Sequence, residues 1–290
     1  MESLKQQFFA WTLVFSFLFA HSKCFAETHL IHEPVSVLYG MKDWISAFAA
    51  IHPRPSVFDK TQRGSGYTEC REVLELKETY LCVSDTSTEM NLSFGRSTLF
   101  VEGNGGASLG EVVSQSDPTL VRLSAMATGF DLRSVDLLAF QSKMNDRCKV
   151  DSNFCSDQSE ESLFRELVNP LESRKIPFVL IAFSIFPRNN YSEVVTHEIL
   201  HAQYFLNPAY QEVTHRFWMD DLGEEDRDKI KSLLGKYYSL ENVTLIENEF
   251  QAYLLMTRAE RNLLGHWVLK YRESLIKKLN ALGIEPLQVN

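Results

Sequence analysis

Two rhythms of apolar and polar residues divide the chain. From about Thr68 to Val113, short runs rich in β-branched and aromatic residues alternate with Gly, Ser, Thr and Asp, which predicts strands at Glu72–Leu76, Tyr80–Ser84, Met90–Phe94 and Thr98–Glu102. Beyond Pro187 the spacing shifts to 3.6 residues with clear capping residues, which predicts helices and no further strands. Between these regions the pattern gives helices at Leu120–Ala127, Ser134–Met144 and Glu160–Leu171, and a strand at Pro177–Phe186. That strand is apolar almost without interruption, as a strand covered on both faces would be. No internal repeat or low-complexity linker occurs, so the expectation is one α+β domain with a mixed sheet lobe at 27–190 and a helical lobe at 191–290.

The first 26 residues stand outside this scheme. Lys5 precedes the apolar run Phe8–Ala20, which is shorter than the roughly 20 residues a membrane span needs and suits the core of a signal peptide. Cleavage after Ala26 removes Cys24 and leaves four cysteines, an even number suited to an oxidising compartment, so the mature chain is expected to begin at Glu27 and to be secreted or periplasmic. No stable membrane association is expected after cleavage. The spacing favours neighbour pairing, Cys70 with Cys82 and Cys148 with Cys155, over a four-cysteine metal site.

Composition narrows the partners. A 44% hydrophobic and 12% aromatic chain can bury a core, and 29 Lys+Arg against 38 Asp+Glu give a formal charge of −9 with no basic stripe, which argues against nucleic acid. The glycine-rich segment Gly103–Gly110 lacks the Lys-Ser or Lys-Thr of a phosphate loop and reads as a turn. Sequons at Asn91, Asn190 and Asn242 bear on a eukaryotic secretory path only.

The chemistry concentrates at His197-Glu198-Ile199-Leu200-His201. Two histidines four apart share one helix face, so both imidazoles can reach one Zn²⁺, with the intervening Glu198 beside the water such a metal would activate. Asn190, followed by Glu193, offers a start for that helix. Catalytic zinc takes three protein ligands. A metzincin pattern would need Gly and His where this chain has Tyr204 and Asn207. Downstream, Thr244 and Glu247 form a capping box that opens a second helix, from which Glu249 can project towards the first while Ala252, on the same face, permits close approach. Glu249 is therefore the expected third ligand, with His215, Asp220, Asp221 and Glu247 as competitors.

Through His197-Glu198-x-x-His201-Ala202 and Asn248-Glu249-x-x-Ala252, residues 178–256 resemble the gluzincin branch of the zincin metallopeptidases. The resemblance implies a zinc cofactor, hydrolysis of a protein or peptide substrate, and a twisted, mostly antiparallel sheet overlying the HExxH helix, which sits between that sheet and a helical lobe. It also implies an edge strand along the cleft, a role open to Leu92–Glu102. One departure stands out: Tyr253 occupies the place where many gluzincins put an aspartate. Glu198 would act as general base, and Tyr253, His215, Tyr237, Tyr238 and Tyr191 are candidates for stabilising the oxyanion. A hydrolase of a non-protein amide, such as a cell-wall crosslink, and a zincin-like binding module without turnover are the alternatives.

Overall fold

The computed structural model describes residues 27–51, 67–103, 107–126, 129–185, 191–256 and 263–289. In chain order the elements are β1 (Glu27–Val35), α1 (Met41–Ile51), β2 (Tyr67–Val73), β3 (Thr79–Ser84), α2 (Ser87–Glu102), α3 (Pro118–Met126), β4 (Gly129–Arg133), α4 (Ser134–Cys148), α5 (Gln158–Leu163), α6 (Asn169–Glu172), β5 (Val179–Ser184), α7 (Tyr191–Leu206), α8 (Pro208–Arg216), α9 (Glu224–Leu234), α10 (Val243–Leu255) and α11 (Arg272–Asn280). A wider π-turn at Phe164–Val168 joins α5 to α6. The chain is α+β. The expected signal peptide and the Asn190 helix start lie outside the described residues.

The sheet order is β1-β2-β3-β5-β4. β1 pairs with β2 and β3 with β5 in parallel, whereas β2/β3 and β5/β4 are antiparallel, so the sheet is mixed rather than mostly antiparallel. Topology explains the difference. The chain crosses from β1 to β2 through α1 and from β3 to β5 through several helices, and such crossovers return strands in parallel. Among the described residues β2 and β3 form the hairpin, which turns through Lys77–Glu78 with Glu78 at φ 61°.

Side-chain alternation assigns the two faces. Tyr80, Cys82, Leu132, Phe130, Leu180 and Ala182 pack under α2, α4 and α5, while Leu81, Val83, Ile181 and Phe183 pack against α1 and α7. β5 is thus apolar throughout because both of its faces are covered, which agrees with its sequence. Beyond α7 a separate helical core gathers Tyr210, Phe217, Trp218, Phe250, Leu254 and Leu279. The disulfides join Cys70 to Cys82 and Cys148 to Cys155, as the spacing predicts. Among the described residues no helix is long and apolar enough to cross a membrane.

The predicted strands Met90–Phe94 and Thr98–Glu102 are instead one helix, α2, so Leu92–Glu102 supplies no sheet edge. Thr86 caps the helix start by accepting from the Glu89 amide, and Gly103 closes it in the left-handed region at φ 63°. Eleven of its residues, from Glu89 to Phe100, are buried, so the helix has no solvent face to impose a 3.6-residue alternation. Ser97 and Thr98 hide their hydroxyls by donating back to the Phe94 carbonyl. β-Branched and aromatic residues without a polar stripe therefore mimic strands in the sequence.

Candidate metal centre

α7 lies between the sheet and the helical lobe. Val195, Ile199 and Ala202 face the sheet core, whereas Leu200 and Tyr204 face the helical core. The C-terminal segment straps this helix down: Gln203 donates to the Glu285 carbonyl and accepts from the Leu287 amide, and Thr196 accepts from the Val289 amide. A further face of α7, carrying His197, Glu198 and His201, looks onto β4 and α10.

α10 is brought close by Ala252, which is fully buried, and by Gln251, whose amide donates to the Leu200 carbonyl at 3.3 Å and accepts from the Tyr210 hydroxyl at 2.7 Å. The start of α10 differs from the expected capping box. Asn242 caps it, accepting from the Leu245 amide, and the Glu247 carboxylate instead lies 3.1 Å from His215 Nδ1.

Glu249 then reaches the two histidines. The Nε2 atoms of His197 and His201 are 3.0 Å apart, Glu249 Oε2 is 3.4 Å from His197 Nε2, and Glu249 Oε1 is 3.5 Å from His201 Nε2. Ligands about 2.0–2.1 Å from a tetrahedral zinc stand roughly 3.3–3.4 Å from one another, so these groups need only small adjustment to share one ion. Glu249 is 2% exposed and its Oε2 has no hydrogen-bond partner among the described residues, a costly state for a buried acceptor unless a cation meets it. The donor set and this orphaned oxygen fit zinc. Each ring's Nδ1 is also buried without a partner among the described residues.

Asp131 on β4 joins the cluster, a residue the sequence reading did not single out. Its Oδ1 lies 4.0 Å from His201 Nε2, and its carboxyl lies within 4.8 Å of that of Glu198. Burial pushes Glu198 up, and the charges of Asp131 and Glu249 add to the effect. Burial likewise raises Glu249 to about 7 and lowers His197 to about 4. No Lys or Arg among the described residues forms an ion pair with Asp131, Glu198 or Glu249, so the pocket is rich in negative charge and short of positive charge.

Gly129 explains how β4 comes so near. A Cβ there would lie 2.5 Å from Glu198 Oε1 and 2.8 Å from Val194 Cγ1, so only glycine admits this approach. β4 is also the last strand of the sheet. Ser134 donates its amide to the Phe178 carbonyl, and counting back along the antiparallel ladder directs the amides and carbonyls of Leu132 and Phe130 towards β5. Those of Gly129, Asp131 and Arg133 point away from β5, along an edge that pairs with no other described strand. The Gly-Phe-Asp-Leu-Arg alternation was the available signal for this strand, although five residues are too few to stand out between two helices.

The remaining candidates separate clearly. His215 is engaged by Glu247, Asp221 pairs with Lys278 at 3.0 Å, and Asp220 is exposed, so none of them reaches the cluster. Tyr253 lays its ring 4.5 Å from that of His197. The Tyr238 hydroxyl is hydrogen-bonded to Glu249 and Tyr253, which orients the carboxylate. Tyr191 packs on Phe183, and Tyr237 is exposed. No family model, curated protein or solved structure matches this chain.

Proposed function

We propose that the chain is an exported zinc-dependent peptidase in which His197, His201 and Glu249 hold the metal and Glu198 is the general base. The observation that carries this reading is the closed set of ligand atoms, 3.0, 3.4 and 3.5 Å apart, with the Glu198 carboxyl beside it. Zinc held there would supply Lewis acidity towards a carbonyl oxygen and towards water. The remaining chemistry belongs to the chain. Glu198 accepts a proton from the attacking water as its oxygen bonds to the carbonyl carbon, then delivers that proton to the amide nitrogen as the carbon–nitrogen bond breaks. Burial and the Asp131 charge beside Glu198 raise the proton affinity of that base. The Tyr238 hydroxyl holds the Glu249 carboxylate in place.

The open edge of β4 favours a peptide over another amide. Three residues with outward-facing amides and carbonyls can pair with an extended backbone, a mode of recognition that a compact non-peptide amide does not use. Export is supported by the two disulfides and by the apolar run before Glu27. The test is Glu198→Gln, which keeps size and hydrogen bonding but removes basicity. Cleavage of a peptide library should fall by about 10²- to 10⁴-fold with zinc content and melting temperature retained. Near-normal turnover in a zinc-loaded Glu198→Gln protein would remove Glu198 from the mechanism and the peptidase reading with it.

A further inference from the structure

A cavity of about 430 Å³ opens beyond the ligand cluster, along the same strand and helix. Arg133 and Phe205 stand at its near side, and Val135, Leu138, Ile176 and Leu206 contribute apolar walls. Two periodicities tie it to the cluster. Phe205 follows His201 by four residues, one turn further along the same face of α7, or about 6 Å. Arg133 follows Asp131 by two residues on the same face of β4, or about 6.6 Å. The strand and helix that bring Asp131 to Glu198 and His201 thus bring Arg133 to Phe205 one level on, where the guanidinium lies 5.1 Å from the ring centroid.

The charges here are internally matched. Asp136 engages Arg133 through two contacts of 2.6 and 2.9 Å, and Glu172 lies 3.5 Å from Lys175. What remains unmatched is apolar: Val135 is 61% exposed and Ile176 44% exposed at the rim.

We propose that this cavity is a specificity subsite for a large apolar side chain of an extended peptide, two or three residues from the bond that is cleaved. The proposal rests on the peptidase reading and adds the substrate's preference to it. An extended chain paired to the open edge of β4 advances about 3.3 Å per residue, so the step from the cluster to the cavity spans two residues, or three to its far wall. Because side chains alternate along that chain, the residues opposite Asp131 and Arg133 point to the same side, the second of them into the cavity.

The experiment uses quenched fluorescent peptides with a single cleavable bond, carrying Ala, Phe or Lys in turn at each position on both sides of it. Phe should exceed Ala in kcat/KM by about tenfold or more at one position two or three residues from the bond. Ile176→Asp, on an open rim, should bring that ratio close to one and favour Lys, and Val135→Asp should act in the same direction. A binding arm repeats the comparison without turnover, by fluorescence anisotropy of labelled peptides on Glu198→Gln protein. If wild-type protein cleaves these peptides with no preference at those positions, or if the folded Ile176→Asp and Val135→Asp proteins keep the preference, the subsite is wrong while the peptidase reading stands. Phe-selective binding that Ile176→Asp abolishes, without cleavage by the zinc-loaded wild type, would retain the cavity and overturn the peptidase reading. Neither cleavage nor binding would overturn both.

Discussion

Two clusters of charged side chains are buried in this molecule, and they are built in opposite ways. In the sheet lobe, Arg96 and Glu160 are each at most 2% exposed and form an ion pair of 2.8 Å. Arg96 also donates to the carbonyls of Val113, Phe154 and Cys155, and Gln115 adds a second donor to Glu160. The Glu160 carboxyl meets the guanidinium, which is otherwise surrounded by acceptors. At the centre formed by α7, α10 and β4, three carboxyls and two histidines converge, and among the described residues no lysine or arginine pairs with them and His197 Nδ1, His201 Nδ1 and Glu249 Oε2 lack hydrogen-bond partners. Burial and displaced proton affinities occur in both places, so neither marks function. The difference is completeness. The first cluster is finished by its own residues, tying the Cys148–Cys155 loop to α2, whereas the second leaves buried polar atoms without partners among the described residues, atoms that the proposed zinc and its surroundings would have to satisfy.

The largest effect is expected where the finished cluster is opened. Arg96→Met should cost about 3–5 kcal/mol, because it strands the buried Glu160 carboxyl together with three carbonyls. Replacing both partners by apolar residues, Arg96→Met with Glu160→Met, should recover a good part of that loss. Urea unfolding measures it, and additive losses in the double variant would contradict the self-contained pair. Zinc binding should be unchanged in either protein.

Opening the other cluster should have the reverse signature. Zinc at a hundred times its dissociation constant should stabilise the wild type by about 2.7 kcal/mol, seen as a rise in melting temperature. His201→Ala should abolish that rise and Glu249→Ala should sharply reduce it, while the metal-free variants lose little stability or even gain some as buried charge is removed. A full zinc response in Glu249→Ala would dissolve the contrast between the two clusters.

Their legibility in the sequence differs for the same reason. The histidine–glutamate centre is governed by spacing, since the fixed pitch of a helix lets two histidines and an intervening glutamate be read directly, and Glu249 could be placed from the face it shares with Ala252. What escaped depends on contacts between distant segments. Asp131 and Gly129 gain their roles only when β4 lies against α7, and nothing in five residues between helices announces that. Glu247 resembles a cap until His215 arrives from another helix to claim its carboxylate. The Arg96–Glu160 pair escaped because α2 is buried on every side and reads as two strands, which hid the helix that carries Arg96.

Gly129 offers a finer cut through the centre. In Gly129→Ala the new methyl would displace Glu198 or Val194, since the contacts of 2.5 and 2.8 Å cannot both persist. Turnover should fall by about tenfold, a modest share of the general-base contribution, whereas zinc affinity should hold because the atoms nearest a new methyl belong to Glu198 and Val194 rather than to a proposed ligand. Loss of zinc together with activity would mean that β4 supports the ligands themselves.

The contrast that separates the clusters by acidity belongs to Glu160. Burial outweighs the pull of Arg96 and raises its carboxyl to about 8, against 4.5 for the unperturbed group. The folded protein therefore keeps a proton that the unfolded chain releases above about pH 4.5, and linkage makes the sign definite. This contribution to stability is fully present below pH 4.5, declines as the pH rises, and is gone once it passes about 8. Glu160→Gln, which cannot ionise, should flatten the stability profile across that window, measured by urea midpoints from pH 4.5 to 8.5 in metal-free protein. Subtracting the variant's profile from that of the wild type isolates the one group, because the carboxyls around His197 titrate in both proteins alike. A difference that rises with pH would mean that the guanidinium dominates and that Glu160 is held ionised, making the finished cluster a true ion pair at every pH in that range.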